Sequence, residues 1–365
     1  MFMMRACARI RPSEPMTSPR RVPALLAIPI VSALALAPAA FVATPAAAAT
    51  FSVSNAALLA SAITAANATP EPDIIQFSGD ISMAADLPTI TAPLTIDGAG
   101  HELSADGFQA LFALDTALTV QNLRITEPSD GIRVDLGALT VTNVTVTDAT
   151  GTGIDVTGAD LTISGTTVSG SNGDNLAYSP IDDREVVITD SQFHESVSGT
   201  GASLSLPALG SIELTDVTAD RNSIHGIQIV LGGSAHATLT DVTATGNLDG
   251  LNLVGGADSR FEVYDSEGVG NSEAGGRITL GDQAALLLVG SNPTGNGSGW
   301  IVNVDTSGEV TLRGVHSVDD DLGIGILVET IGAPTIEESS AAGGSYGMFL
   351  EKSVDAPSGG SVTIA

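Results

Sequence analysis

Along most of the chain, apolar and polar residues alternate in short bursts closed by turn residues. LTIDGA from Leu94, LTVQNL from Leu118, LTVTNV from Leu139 and LTISGT from Leu161 follow one template. VVITDS from Val186, IELTDV from Ile212, ATLTDV from Ala237, FEVYDS from Phe261, LLLVGS from Leu286, VTLRGV from Val310 and PTIEES from Pro334 continue it, at intervals of 21 to 26 residues. Period-two alternation bounded by turn formers predicts strands. The third position of every segment is a branched aliphatic, from Ile96, Val120 and Val141 through to Ile336. Such a column suits strands that stack their side chains in one core. Two positions on stands Gly, Asn or Asp in ten of eleven segments, from Gly98 and Asn122 to Gly314, with Glu338 the exception. These residues tolerate a left-handed bend, so each strand is predicted to end in a turn at the same place.

A second column keeps the same pace. Gly107, Gly131, Gly153, Asn175, Gly201, Gly226, Gly250, Gly276, Gly299, Gly325 and Gly347 each precede a short apolar segment. One repeat therefore holds a strand-turn unit and a turn-strand unit. Repeats this short exclude propeller blades, which need roughly 40 residues, and the β-branched runs oppose helical repeats. The expected fold class is all-β: stacked coils of two or three short strands, about eleven to twelve coils in all, forming parallel sheets.

These columns resemble the right-handed parallel β-helix superfamily of pectate-lyase-like proteins, over about residues 73–365. The resemblance implies a right-handed solenoid. It implies little about activity, because this scaffold hosts lyases, hydrolases, epimerases, adhesins and surface repeats. The pectinase-type hydrolases of the superfamily carry Asn-x-Asp, Asp-Asp, Gly-His-Gly and Arg-Ile-Lys motifs on neighbouring coils. Pieces occur here in the same order, as Asn172-Gly173-Asp174, Asp182-Asp183, His225-Gly226 and Arg277-Ile278. Ile224 replaces the first Gly of the His motif and Thr279 replaces the Lys, and Asp174 and Asp182 share one repeat. Paired carboxylates must flank one scissile bond at ~5–9.5 Å, which this register does not promise.

The ends of the chain read differently. Residues 1–49 carry Arg5, Arg9, Arg11, Arg20 and Arg21, then an uncharged Ala- and Leu-rich run that closes in Ala46-Ala47-Ala48-Ala49. Basic start, apolar centre and small-residue end predict a cleaved secretory signal. Met16 is a candidate start, and Arg20-Arg21 fits twin-arginine export. Pro29 and Pro38 oppose an uncleaved anchor, so the mature chain is expected to carry no transmembrane segment. Cleavage after Ala49 also removes Cys7, the one cysteine, so no disulfide is expected. Residues 50–72 predict a cap for the first coil. Ser54 or Asn55 caps a helix whose apolar face is Leu58, Leu59, Ala62, Ile63 and Ala66, ended by Pro70 and Pro72. DIIQF from Asp73 reads as the first strand of the solenoid, which then runs to residue 365. GSVTIA at the C-terminal end reads as the opening of a further coil, and the chain is expected to be a fragment or to continue in the native gene.

A net charge of −29 with 13 basic residues argues against nucleic acid and anionic lipid as partners. Only 4% of residues are aromatic, which disfavours a stacking platform for bases. Arg133 and Asp155 are expected to stack on one exposed face, as are Gln228 and Asn252, which makes these four the candidate ligand-binding residues. His225 and Asp249 precede equivalent glycines. They predict an imidazole beside a carboxylate, capable of acid–base work or else a solvated turn pair with the His pKa raised. Asp319-Asp320-Asp321 is a carboxylate cluster, read either as a solvated loop or as a site for Ca²⁺, the one cofactor considered. NVT at Asn143 and NGS at Asn296 match glycosylation acceptors, a match that threonine-rich strands make easily. With no intact catalytic constellation, the sequence favours an extracellular structural or adhesive β-helix at a cell surface. A carbohydrate-active lyase or hydrolase and a passive glycan-binding module are the alternatives. Glycans or cell-surface components are the expected partners.

Overall fold

The computed structural model describes residues 48–304, 308–318, 320, 324–330, 334–342, 346–352 and 363–364. The basic and apolar run before Ala48, expected above to be an export signal, and both Asp319 and Asp321, lie outside them. The described chain is a parallel β-solenoid of about 12 turns. Each full turn supplies three strands. In one turn these are Leu176–Ser179 and the two halves of the long, bent Arg184–His194. Every pairing is parallel and in register with the turn before, which stacks three faces around one core, joined where long strands bend from one face to the next.

The aliphatic column is the spine of that core. Ile163, Ile188, Leu214, Leu239, Val263, Leu288 and Leu312 pair in unbroken succession. All are at most 1% exposed. The strand Asp73–Phe77 adds Ile75 below Ile96, and the strand Thr363–Ile364 adds Ile364 beyond Ile336. The corner residues take the left-handed conformation the sequence requires. Asn122, Asn143, Asp190, Asp216, Asp241, Asp265 and even Glu338 have φ between 47° and 54°. At the first corner the bend has moved one residue, from Gly98 to Ala99 at φ 52°.

The glycine column needs two corrections. Register places Ala110, not Gly107, beneath Gly131, and Gly275, not Gly276, above Gly250. Gly107 sits instead in a turn at φ 83°. Most of the column has negative φ, so its glycines serve close approach rather than bending. A Cβ on Gly250 would stand 2.4 Å from the carbonyl oxygen of Gly275, and one on Gly299 2.1 Å from that of Gly325. Gly276 lies one place further on, in the core-facing row between Leu251 and Trp300.

Beside the glycine column runs a buried ladder of amides. Asn222, Asn247, Asn271 and Asn296 occupy successive turns, each 1–3% exposed. The Nδ2 of each donates to the Oδ1 of the next at 2.9–3.1 Å. The same Oδ1 atoms also accept the backbone N–H of the previous rung. Asn175 donates into the early end of the ladder, to Asn222 Oδ1 at 3.1 Å. Asp320 is the last described rung and accepts from both the N–H and the Nδ2 of Asn296. An amide both donates and accepts and so passes the pattern on, whereas a carboxylate only accepts and ends it.

The N-terminal cap is the helix Ala56–Ala66, the one helix among the described residues. Asn55 is its N-cap, accepting the N–H of Leu58 at 3.0 Å, as the sequence anticipates. Leu59, Ala62, Ile63 and Ala66 cover the first coil. Leu58, assigned to that face by the sequence, is 46% exposed. Its position is one residue off the stripe set by Leu59, Ala62, Ile63 and Ala66. The helix ends at Asn67, ahead of Pro70, where Asn67 bonds Thr89 and Thr91 of the next turn.

Candidate functional site

One sheet presents a long row of outward side chains. It is built from strands that include Ile154–Ser164, Leu176–Ser179, Ala202–Leu206, His225–Leu231, Asp249–Gly255 and Ala274–Leu280. Alternation turns every second residue outward. The row reads Phe112, Arg133, Asp155, Ala177, Ser203, Gln228, Asn252, Arg277. All four ligand-binding candidates from the sequence stand in it, as two pairs. Gln228 and Asn252 are adjacent. Arg133 and Asp155 are adjacent too, and Ala177 and Ser203 separate the pairs by three strand spacings, about 14 Å.

The first pair is loose. Arg133 Nε stands 3.9 Å from Asp155, and its better bonds go to Asp135 on its own strand, at 3.2 and 3.3 Å. Its guanidinium also lies 5.5 Å from the centre of the Phe112 ring. Burial pushes the Asp155 carboxyl up, against the opposing pull of Arg133. A loose, half-exposed pair of this kind contributes ~0–1 kcal/mol.

The second pair belongs to a tighter cluster. His225 and Asp249 stack in register, as the sequence predicts, with Nδ1 3.5 Å from Asp249 Oδ2. The pair is not solvated. The two side chains are 14% and 4% exposed. Arg277 explains how Asp249 can be buried. Its Nε and Nη2 reach the two carboxylate oxygens at 3.2 and 3.3 Å, and Nη2 also meets Glu273 at 3.2 Å. Asn252 Nδ2 donates to His225 Nε2 at 3.0 Å. That bond occupies the Nε2 lone pair and assigns the neutral ring's proton to Nδ1, facing Asp249. Ser203 Oγ donates to Gln228 Oε1 at 3.4 Å. Ser203, Gln228, Asn252 and Arg277 are all half-buried.

The direction of the His225 pKa is opposite to the raised value expected of a solvated pair. Burial lowers it, Asp249 raises it, Arg277 lowers it again, and the balance falls below 6.5. An NMR titration is therefore expected to place the His225 midpoint below 6.5. Between the folded and unfolded values the unfolded ring binds more protons. Stability from this group is thus full above 6.5 and is lost as pH falls through the lower folded value. His225→Asn should lack that component of the pH dependence. A midpoint at or above 6.5 would contradict the buried geometry.

The hydrolase-like pieces do not meet. Asp174 lies just ahead of its strand, and its Oδ1 accepts the N–H of Thr200 at 2.7 Å. Asp182 and Asp183 lie past the other end of that strand, where they bond Arg184 at 2.6 Å and the N–H of Leu209 at 2.8 Å. Ile278 points into the core. Only Arg277 of that set joins His225, through Asp249. The sequence signal that could have found it is register, since Arg277 is three residues beyond the position that stacks on Asp249.

Asp320 is also placed differently from a solvated loop. It is fully buried, bonded to Asn296 and, through Oδ2, to the hydroxyl of Ser317. Asn296 is 1% exposed within the ladder, which removes it as a glycosylation acceptor. No helix among the described residues is long and apolar enough to cross a membrane.

Residues 110–283 match the family described as right handed beta helix region. No curated protein matches the sequence. Among solved structures, the A-module of the mannuronan C-5 epimerase AlgE4 from Azotobacter vinelandii is similar, with a TM-score of 0.52 and 15% identity over 86% of this chain and 97% of that one. The A-module of the epimerase AlgE6 from the same organism gives 0.50 and 15% over 86% and 94%. PfbA, a surface adhesin of Streptococcus pneumoniae, gives 0.37 and 10% over 84% and 89%. At such identities the likeness is one of fold. The match over residues 110–283 and the in-register coils agree on one fold, a right-handed parallel β-helix.

Proposed function

We propose that the chain is an exported structural or adhesive β-helix whose outer face binds a glycan along the row Ser203, Gln228, Asn252 and Arg277. The observation that carries this reading is the in-register row of half-buried hydrogen-bonding groups on four successive coils. Strands repeat at ~4.8 Å, close to the advance of one sugar unit along an extended chain, so each coil offers a polar contact to one unit. Of these four residues one is a cation, Arg277, itself engaged with Asp249 and Glu273. Together with the strongly acidic chain, this favours a neutral glycan over a polyanion.

Double replacement Gln228→Ala and Asn252→Ala is expected to weaken binding to neutral polysaccharides at least tenfold, by about 1.4 kcal/mol or more, measured well below a Tm that falls because His225 Nε2 loses its donor. Isothermal titration or glycan-array binding measures it. Wild-type binding that survives both replacements sinks the proposal.

The buried Arg277–Asp249–His225 array favours one second reading, acid–base action on a carbohydrate. Binding remains the better account because both His225 nitrogens face protein groups, leaving no free lone pair toward solvent. New reducing ends or ultraviolet-absorbing products from pectin, alginate or neutral glycans would establish the enzymatic reading instead. Calcium-dependent change in Tm tests whether the Asp319–Asp321 run takes an ion.

A further inference from the structure

The N-terminal cap holds a buried carboxylate aimed at a backbone nitrogen on the border of the export segment. Asp73 opens the strand Asp73–Phe77 and is 2% exposed. Its Oδ2 accepts the hydroxyl of Thr69 at 3.0 Å. Its Oδ1 accepts the N–H of Ala49 at 2.6 Å. The carbonyl of Ala49 in turn accepts the N–H of Ile74 at 2.8 Å. Ala49 is thus built into the first turn, directly ahead of the strand Thr50–Val53 that pairs with Ile74–Phe77. Ala48, one residue earlier, is exposed.

A buried carboxylate with two neutral donors is an incompletely compensated charge. Hydrolysis of the Ala48–Ala49 peptide bond supplies the missing cation. Water adds across that bond, leaving a carboxylate on Ala48 and an α-ammonium on Ala49, beside Asp73. We infer that the mature chain begins at Ala49 and that its α-ammonium pairs with Asp73 to fasten the cap. This rests on the reading of the preceding residues as a cleaved export signal, and it refines the cut from after Ala49 to after Ala48.

The small-residue rule accepts either position, with Ala46 and Ala48 before one cut and Ala47 and Ala49 before the other. The structure separates them. A cut after Ala49 deletes both the donor to Asp73 and the acceptor for Ile74. A cut after Ala47 leaves one residue between the new ammonium and the carboxylate. Only the cut after Ala48 keeps both bonds and converts the first into an ion pair.

The test is to express the full chain in a secreting bacterial host, recover it from outside the cytoplasm, and determine its first residues and intact mass. The expected start is Ala-Thr-Phe-Ser-Val. An exported chain that starts at Thr50 or elsewhere overturns the inference while leaving export intact. A chain kept whole inside the cell overturns the export reading itself. A second measurement compares the Ala49 form with the same chain extended by one glycine. The Ala49 form should melt several degrees higher, and Asp73→Asn should abolish the difference. Equal melting of the two forms overturns the ion pair.

Discussion

Replacing Gly276 with alanine is expected to lower stability by about 3 kcal/mol, the upper end of what overpacking a core costs. The new methyl carbon would stand 1.9 Å from Cζ3 and 2.2 Å from Cε3 of Trp300. Trp300 stacks directly on Gly276 in the next coil and is fully buried, with Ile326 above it. Its Nε1 donates to the carbonyl of Ser291 at 3.2 Å, so the ring cannot tilt away without giving up a buried bond. Chain and ring therefore collide, and the in-register pairing of the two coils must yield. Urea unfolding followed by circular dichroism measures the loss. Trp300→Leu in the Gly276→Ala background should recover much of it, because the obstructing ring is gone. A single alanine variant as stable as the wild type would refute this packing.

The second large effect is expected at Asn247. Its Oδ1 accepts the N–H and the Nδ2 of Asn222 at 2.8 and 3.1 Å, and its Nδ2 donates to Ala219 O and Asn271 Oδ1, both at 3.1 Å. Leucine at this position is similar in volume but can do none of this. The Asn222 N–H is left buried without its acceptor, at about 1–3 kcal/mol, and each further bond lost adds roughly 1 kcal/mol. A total loss of about 4–6 kcal/mol follows, visible as a lower midpoint in urea. Asn247→Asp distinguishes hydrogen bonding from shape. It keeps the acceptor and loses the donors, so it should destabilise at neutral pH and recover partly as acid protonates the new carboxyl. A leucine variant of wild-type stability would mean that water replaces the amide.

Much of this architecture was legible because it answers to local rules. Alternation places Ile188 or Leu239 inward whatever the neighbouring coil contains. Left-handed φ at Asp190 or Asp241 is a property of that residue's own backbone. Asn55 caps its helix through a neighbour three residues away. Leu58 on the cap helix and the bend at Ala99 apart, the misreadings involve contacts between coils. Gly275 and Gly276 adjoin in sequence, and only the neighbours in the next coil, Asn296 and the Gly299 carbonyl against Gly275 and the Trp300 ring against Gly276, decide which glycine serves which purpose. The stacking of His225 on Asp249 followed from the repeat. Their burial did not, since it depends on Arg277 and Asn252 closing over them from two successive coils. Asp320 looked like one of three solvated carboxylates until the amide ladder reached it from Asn296.

That ladder also has a polarity. From Asn222 to Asn296 every side-chain oxygen receives from the earlier coil and one N–H points to the later one. The amide dipoles thus align head to tail along the solenoid axis, with their positive ends toward the later coils. Aligned, polarised hydrogen bonds in a low-dielectric interior reinforce one another. The row behaves like a short macrodipole made of side chains, laid parallel to the stack rather than along a helix. Asp320 stands at its positive end, where an anion is the favourable terminus.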